Sequence, residues 1–481
     1  MQVALILDLP TPEATEDLAR VLAGGLQAGD SLLLEGPIGA GKSHLARALI
    51  RSRLGNPSEE VPSPSFTLVQ TYPGDPPIWH ADLYRLGHPD EVLELGLDAA
   101  FETDITLVEW PDRLGRDAPA DAIRVALAPA GEGRRATIRL SGREALAVAL
   151  REFALALFLA RCGWAAAERE PLAGDASGRR FTRLRRADRT AVLLDNPPGL
   201  ADRVDDYVKI GRHLRRIGLS APEIFAEDLA NGFLLLEDLG DDLLSRRLMT
   251  RPQEEAALYA LACDALVQMQ AAPAPDGLPN LSAEDWAEAA LLALSFYVRG
   301  ATGQTPDPGP LRAALVQALR AFGDGPRVLI HRDYFMGNLL LLPRPGTAAL
   351  GLVDFQSGQL GQPVYDLVSL LQDARRDVAP AVEAATKARF ATITGAGPQF
   401  QAAYAVWGVQ RALRILGIFA RLCLVEGRPA YLDHLPRVMR DLRRNLAHPG
   451  LEKLDRLCEG LLPNPTPKVL SRLRSQCGAF R

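Results

Sequence analysis

The sequence predicts two different folds in one chain: an α/β domain, then an α+β domain with a small β-rich lobe and a large helical lobe. Three observations carry this. Gly36-Pro37-Ile38-Gly39-Ala40-Gly41-Lys42-Ser43 sits between an apolar, strand-like run and a helix-forming segment. His331-Arg332-Asp333-Tyr-Phe-Met-Gly-Asn338 is followed, beyond two short apolar segments, by Leu-Val-Asp354-Phe-Gln. After Ser141-Gly142 short apolar runs give way to a long helical period.

Taken in order, Pro10-Thr-Pro-Glu reads as a turn into a helix, with Thr11 or Thr15 as its cap. Ser31–Glu35 is a short apolar strand that runs into the glycine-rich loop, and His44–Arg53 is the helix behind it. Strands follow at Thr67–Tyr72, Ile78–Leu83, Ile105–Trp110, Ile123–Leu127 and Ala136–Leu140. A helix over Arg143–Arg161 opens the second part, so the domain boundary is placed at 142/143. Strands at Phe181–Arg185, Thr190–Leu194 and Phe233–Glu237, with a helix at Asp202–Ile217, form the small lobe over 146–238. From Leu239 to the end, 239–481, most segments read as helices interrupted by the signature loops.

At 481 residues the chain is long enough for two or three cores. Its 47% hydrophobic and 23% charged content is that of a globular protein, and a net charge of −5 argues against general affinity for nucleic acid. Arginine-rich stretches at Arg179–Arg189 and Arg437–Arg444 are broken by acids and apolar residues, so direct RNA contact is not expected. Five cysteines without metal spacing read as free thiols. The start carries no signal-peptide pattern, and no apolar run reaches the ~20 residues that span a bilayer. The expectation is a cytoplasmic protein without a membrane partner.

The first signature has the strand–loop–helix context of a P-loop. Its glycines let backbone N–H groups of residues 36–43 close on phosphate oxygens of ATP. Lys42 would reach the β- and γ-phosphates, and Ser43 would ligate Mg²⁺. Such a site also needs an acid at a strand end. Glu109 and Asp82 both qualify, and each taken alone is equally a cap or a solvated acid. Val61-Pro-Ser-Pro-Ser-Phe-Thr, His80-Ala-Asp-Leu-Tyr-Arg-Leu and Val108-Glu-Trp-Pro-Asp-Arg-Leu, together with the loop, resemble the successive motifs of the TsaE family over residues 1–142. These are small ATPases of the machinery that makes threonylcarbamoyladenosine next to the tRNA anticodon. The resemblance implies ATP at the loop, Mg²⁺ held by Ser43 and Glu109, and Asp82 as a catalytic acid. It also implies a switch-like loop at Ser63–Thr67, where Ser65 replaces the usual threonine, and weak turnover without the partner subunits of that synthesis complex.

The second signature has kinase logic. Asp333 would take or orient the proton of the attacking hydroxyl, and Asn338 and Asp354 would hold Mg²⁺ against the ATP phosphates. Gly174-Asp-Ala-Ser177-Gly178 is a phosphate-covering turn between strands, and Leu234-Leu-Leu-Glu237 is a hinge whose backbone meets adenine. Asp366 reads as an anchor for the catalytic loop. The loop and Asp354-Phe-Gln resemble the aminoglycoside phosphotransferase superfamily, not eukaryotic protein kinases. Gly174–Leu184, Val192–Pro198, His331–Asn338 and Gln410–Phe419 are most similar to its AmgK family of anomeric sugar kinases, over residues 146–481. This implies phosphorylation of the anomeric hydroxyl of N-acetylmuramate or N-acetylglucosamine, in cell-wall recycling.

The strand Thr190–Leu194 lacks the lysine expected to touch the α- and β-phosphates; Asp195 follows instead. Lys209, or Arg179 or Arg180 in the turn, are the candidate replacements, with a solvated lysine the plainer account of Lys209. Arg411 and Trp407, one turn apart, suit a sugar and its acidic group, or simply core packing with a surface arginine. The reading is a bifunctional ATPase and sugar kinase. Its rival keeps the P-loop part as a nucleotide-gated assembly module and gives the kinase part another hydroxylated substrate or none.

Overall fold

The computed structural model describes residues 2–86, 90–172, 178–200 and 203–480. The chain divides into two compact units, Met1–Leu200 with Phe225–Leu235, and Ala201–Ile224 with Leu236–Arg481.

The first unit opens with β1 (Gln2–Leu9) and α1 (Pro12–Gly25), capped by Thr11 through Ala14 N–H. Then come β2 (Ser31–Glu35), α2 (Lys42–Leu54), β3 (Val69–Tyr72), β4 (Ile78–Asp82), α3 (Asp90–Leu93), α4 (Leu97–Thr103) and β5 (Ile105–Glu109). The hairpin of β6 (Ile123–Ala130) and β7 (Gly133–Ser141) follows. These strands form one sheet in the order β1-β7-β6-β2-β5-β4-β3. β2 runs parallel to β5 and β6, and β4 parallel to β5. Leu32, Leu33 and Leu34 are fully buried, as the uninterrupted apolar run of a two-face-covered parallel strand requires. β1 was not anticipated from sequence. It pairs with β7 over its whole length, and only Leu5, Leu7 and Leu9 on its inner face are apolar and buried.

A second sheet orders β11-β12-β10-β9-β8, from β8 (Glu168–Pro171), β9 (Arg180–Arg186), β10 (Arg189–Asp195), β11 (Ile224–Asp228) and β12 (Phe233–Leu236). β8 and β11 were also unforeseen; Glu168-Arg-Glu-Pro is wholly exposed and carries no alternation.

The helix α5 (Glu144–Arg161) explains why compactness does not divide the chain at 142/143. Its buried face, Leu146, Leu150, Ala154, Leu155, Phe158 and Leu159, belongs to one apolar core. Leu5, Leu7 and Leu18 enter that core from the first sheet and its helix, and Leu184, Leu193 and Phe233 from the second sheet. Phe158 meets Phe233 at 5.8 Å between ring centroids. Arg143 ties the junction down, donating to Asp30 Oδ1 (2.7 Å) and the Asp121 carbonyl (3.0 Å). At the free edge of β1, the Asn231 amide pairs with Ile6 as a strand would. It donates to Ile6 O (2.6 Å) and accepts from Ile6 N–H (3.0 Å).

In the second unit, α6 (Val204–Arg216) is followed by a mainly helical body. Two small antiparallel pairs carry the signature loops: β13 (Val328–Ile330) with β16 (Gln359–Gly361), and β14 (Leu339–Leu341) with β15 (Leu350–Leu352). The helices Val364–Leu371 and Phe400–Leu424 pack on each other beside these pairs. No helix among the described residues is long and apolar enough to cross a membrane.

Candidate active sites

The first site lies where β2, β4 and β5 end. The loop between β2 and α2 takes positive φ at Gly36, Gly39 and Gly41. A Cβ on Gly36 would lie 2.2 Å from the Leu127 carbonyl, so no other residue fits there. Lys42 is buried, and its Nζ donates to the carbonyls of Gly36 (2.8 Å) and Pro37 (3.0 Å) beneath the Trp110 ring, 3.9 Å from its centroid. Burial lowers its pKa, while Glu109 and Asp82 oppose that shift.

Parallel pairing of β4 with β5 sets Asp82 directly opposite Glu109. Ser43 Oγ donates to Glu109 Oε2 at 3.0 Å, and His80 Nε2 lies 3.0 Å from Glu109 Oε1. Asp82 Oδ2 accepts from Ser65 Oγ (2.8 Å) and Ser63 Oγ (3.2 Å), so the serine in the switch-like loop keeps a hydroxyl on the acid. Ser43 and Glu109 present hard oxygen donors side by side, which fits Mg²⁺, an ion that takes one or two protein ligands plus phosphate and water.

Sequence reasoning gave no role to three residues here. His80 sits two residues before Asp82, on the same strand face, which was the available signal. Trp110 adopts φ 61°, which nothing in the sequence announces. Arg134 of β7 donates to the loop carbonyls of Ala40 (3.0 Å) and Gly39 (3.3 Å), and its hairpin position carries no hint of that.

The second site is held by Asp366, which is fully buried on the helix Val364–Leu371. Its Oδ2 accepts from His331 N–H (2.6 Å) and its Oδ1 from Arg332 N–H (2.9 Å), pinning the strained turn in which Arg332 takes φ 74°. Burial raises its pKa to about 7 against those two bonds. His331 is buried with Nε2 3.1 Å from the Val353 carbonyl, and Tyr334 donates to the Ala262 carbonyl at 2.8 Å. Asp333 lies between these anchors.

Asn338 Nδ2 donates to the Asp333 carbonyl (3.0 Å) and lies 3.4 Å from Asp354 Oδ2. Its amide oxygen accepts no hydrogen bond among the described residues, so Asn338 and Asp354 suit Mg²⁺ as the first pair does. The loop thus brings Asp333, Asn338 and Asp354 together. Glu237 stands apart from them in a different role. Its backbone N–H donates to the Glu223 carbonyl (2.8 Å), which leaves only its carbonyl for adenine, and its carboxylate meets Arg344 and Arg215.

In the first unit, Gly178 is described, while Gly174 and Ser177 lie outside the described residues. Asp195, in place of the strand lysine, is buried. It is clasped by Arg151 of α5 (Nε 3.0 Å) and by Arg180 (Nη2 2.8 Å, Nε 3.1 Å). Trp407 is a core residue. It is 2% exposed, bonded through Nε1 to the Gly323 carbonyl and set edge-on to Trp286 and Tyr365, so it has no free face for a sugar.

Two family models match the chain: threonylcarbamoyl adenosine biosynthesis protein TsaE over residues 9–137, and the phosphotransferase enzyme family over residues 168–404. Among characterised relatives, N-acetylmuramate/N-acetylglucosamine kinase of Caulobacter vibrioides is 36% identical over 362 residues, 66% of this chain and 98% of that protein. The protein of the same name in Pseudomonas aeruginosa is 35% identical, over 63% of this chain and 92% of its own length. The tRNA threonylcarbamoyladenosine biosynthesis protein TsaE of Rickettsia felis is 37% identical over 131 residues, 27% of this chain and 76% of that protein. The chain is therefore an ATP-using enzyme that belongs to two families at once, the TsaE family through its N-terminal part and the N-acetylmuramate/N-acetylglucosamine kinase family of phosphotransferases through the remainder.

Proposed function

We propose that this chain is a bifunctional enzyme: an ATPase required for threonylcarbamoyl modification of tRNA, and an ATP-dependent kinase for the anomeric hydroxyl of N-acetylmuramate and N-acetylglucosamine. The observation that carries the reading is the presence of two sets of phosphate-handling residues, Lys42, Ser43, Asp82 and Glu109 in one unit and Asp333, Asn338 and Asp354 in the other.

At the first set, N–H groups of residues 36–43 hold the ATP phosphates, Lys42 leaves the loop carbonyls for the β- and γ-phosphates, and Asp82 orients the attacking water. Ser43 and Glu109 are the residues to hold Mg²⁺ there, and Asn338 and Asp354 at the second set. The ion supplies neutralisation of phosphate charge. At the second set Asp333 takes the proton of the anomeric hydroxyl as its oxygen bonds to the γ-phosphorus. The bond from that phosphorus to the bridging oxygen breaks, and ADP leaves.

The partners are the other subunits of the threonylcarbamoyladenosine synthesis complex, which bring the tRNA, and the work is cytoplasmic. The test uses the full chain with ATP and each sugar. A sugar 1-phosphate should form, and Asp333→Asn should abolish it; no product from the unaltered chain sinks the kinase assignment. ATP hydrolysis without sugar should rise when the partner subunits are added. Hydrolysis that stays flat favours the nucleotide-gated assembly module instead.

A further inference from the structure

Several arginines of this unit are neutralised by carboxylates. Arg376, Arg389, Arg437, Arg440 and Arg444 each pair with a carboxylate within 3 Å. Arg411 and Arg414 pair with none among the described residues. Both lie on the helix Phe400–Leu424, on neighbouring faces of successive turns. Arg411 is 6% exposed and makes one bond, from Nη1 to the Gln372 carbonyl at 3.3 Å. That carbonyl follows the helix whose Asp366 pins the catalytic loop, so Arg411 is registered to Asp333 through one rigid element. Arg414 is half-buried beside Tyr365, and both guanidiniums have Tyr365 and Asp333 as electrostatic neighbours, with the buried Asp373 a further one for Arg411 but no ion pair to it. Nearby in sequence, Arg375 lies over the rings of Phe335, two residues beyond Asp333, and Phe419, at 4.6 and 5.8 Å.

Burying a guanidinium without an anion is costly, and its planar fork matches a carboxylate. We propose that Arg411 and Arg414 form the subsite for the carboxylate of an acidic amino sugar, holding it while its anomeric hydroxyl meets Asp333. The inference rests on the amino-sugar kinase reading and adds what sets its preference: N-acetylmuramate carries the lactyl carboxylate that N-acetylglucosamine lacks.

The experiment measures kcat/KM of the full chain for both sugars at saturating ATP, in the unaltered protein and in Arg411→Gln, Arg414→Gln and Arg414→Lys. The readout is the ratio of the acidic to the neutral sugar, which cancels general damage. Removing one charge-assisted contact should lower that ratio about 10–100-fold, mainly through KM for the acid, with Arg414→Lys intermediate. If Arg411→Gln fails to fold, the half-buried Arg414 decides. An unchanged ratio overturns the inference alone. It does so equally if both sugars decline together, as they would if these arginines served the ATP phosphates. An unaltered chain that phosphorylates neither sugar overturns the kinase reading and this inference with it.

Discussion

Asn231 closes the outer edge of β1, and replacing it tests how firmly the P-loop part and the small kinase lobe are joined. The residue is 1% exposed. Its amide makes three bonds: to Ile6 O (2.6 Å), from Ile6 N–H (3.0 Å) and to Asp228 Oδ2 (2.8 Å). At about 1 kcal/mol each their sum is about 3 kcal/mol. Water reaching the Ile6 backbone, whose side chain is 36% exposed, trims the loss in Asn231→Ala to about 2 kcal/mol. For a unit of about 200 residues that is roughly 4–8 °C in the melting midpoint. Asn231→Asp keeps the shape but turns the donor into an oxygen facing the Ile6 carbonyl and the Asp228 carboxylate, so it should cost about 1 kcal/mol more than alanine. Thermal unfolding followed by far-UV circular dichroism reads both. Midpoints within 1 °C of the unaltered protein, or an aspartate variant more stable than the alanine one, would refute the reasoning.

A chain starting at Arg143 strips the partner surface from Leu146, Leu150 and Leu155 of α5, so it should aggregate on size-exclusion chromatography where the full chain does not. Trp407→Ala should cost about 3–5 kcal/mol in urea unfolding, as a large core truncation does; a raised sugar KM at unchanged stability would mean the ring is a sugar platform after all. Arg437 and Arg440 hold the Asp377 carboxyl down at about 2. Its folded pKa lies below the unfolded value of about 3.9, so its stabilisation is present above that pH and lost as pH falls through about 2. The side chain is 58% exposed, so Asp377→Asn should cost only about 0.5–1 kcal/mol at pH 7, with the gap to the unaltered protein closing below pH 4.

The chemistry-bearing loops were legible because each is bound to its spacing. Gly36 to Ser43 and His331 to Asn338 need fixed residue types at fixed intervals, and apolar runs on either side announced the strands that aim them. β1, β8 and β11 were not legible. β8 is exposed throughout and carries no pattern that burial imposes, whereas β1 buries alternate residues, but its outward Ala4 and Ile6 are also apolar, which blurs that alternation in the sequence. The shared core was hidden for a different reason: α5 looks like any amphipathic helix, and only its neighbours reveal that it serves two sheets. Trp407 stayed undecided in the sequence because an aromatic one turn from an arginine has the same spacing in a core as at a sugar site. Arg134 and Asn231 act through the backbone of distant segments, which no local pattern encodes.

The central claim is that one chain carries two phosphoryl-handling sites whose chemistry is separate even though the P-loop part and the small kinase lobe share a core. The direct measurement takes sugar 1-phosphate formation and sugar-independent ATP hydrolysis side by side in Lys42→Ala and Asp333→Asn, in the full chain with the partner subunits present. The account predicts that Lys42→Ala loses hydrolysis and keeps sugar phosphorylation. Asp333→Asn should keep hydrolysis and lose about 10²–10⁴-fold in phosphorylation. Loss of both activities in either variant, with the protein still folded, would contradict it.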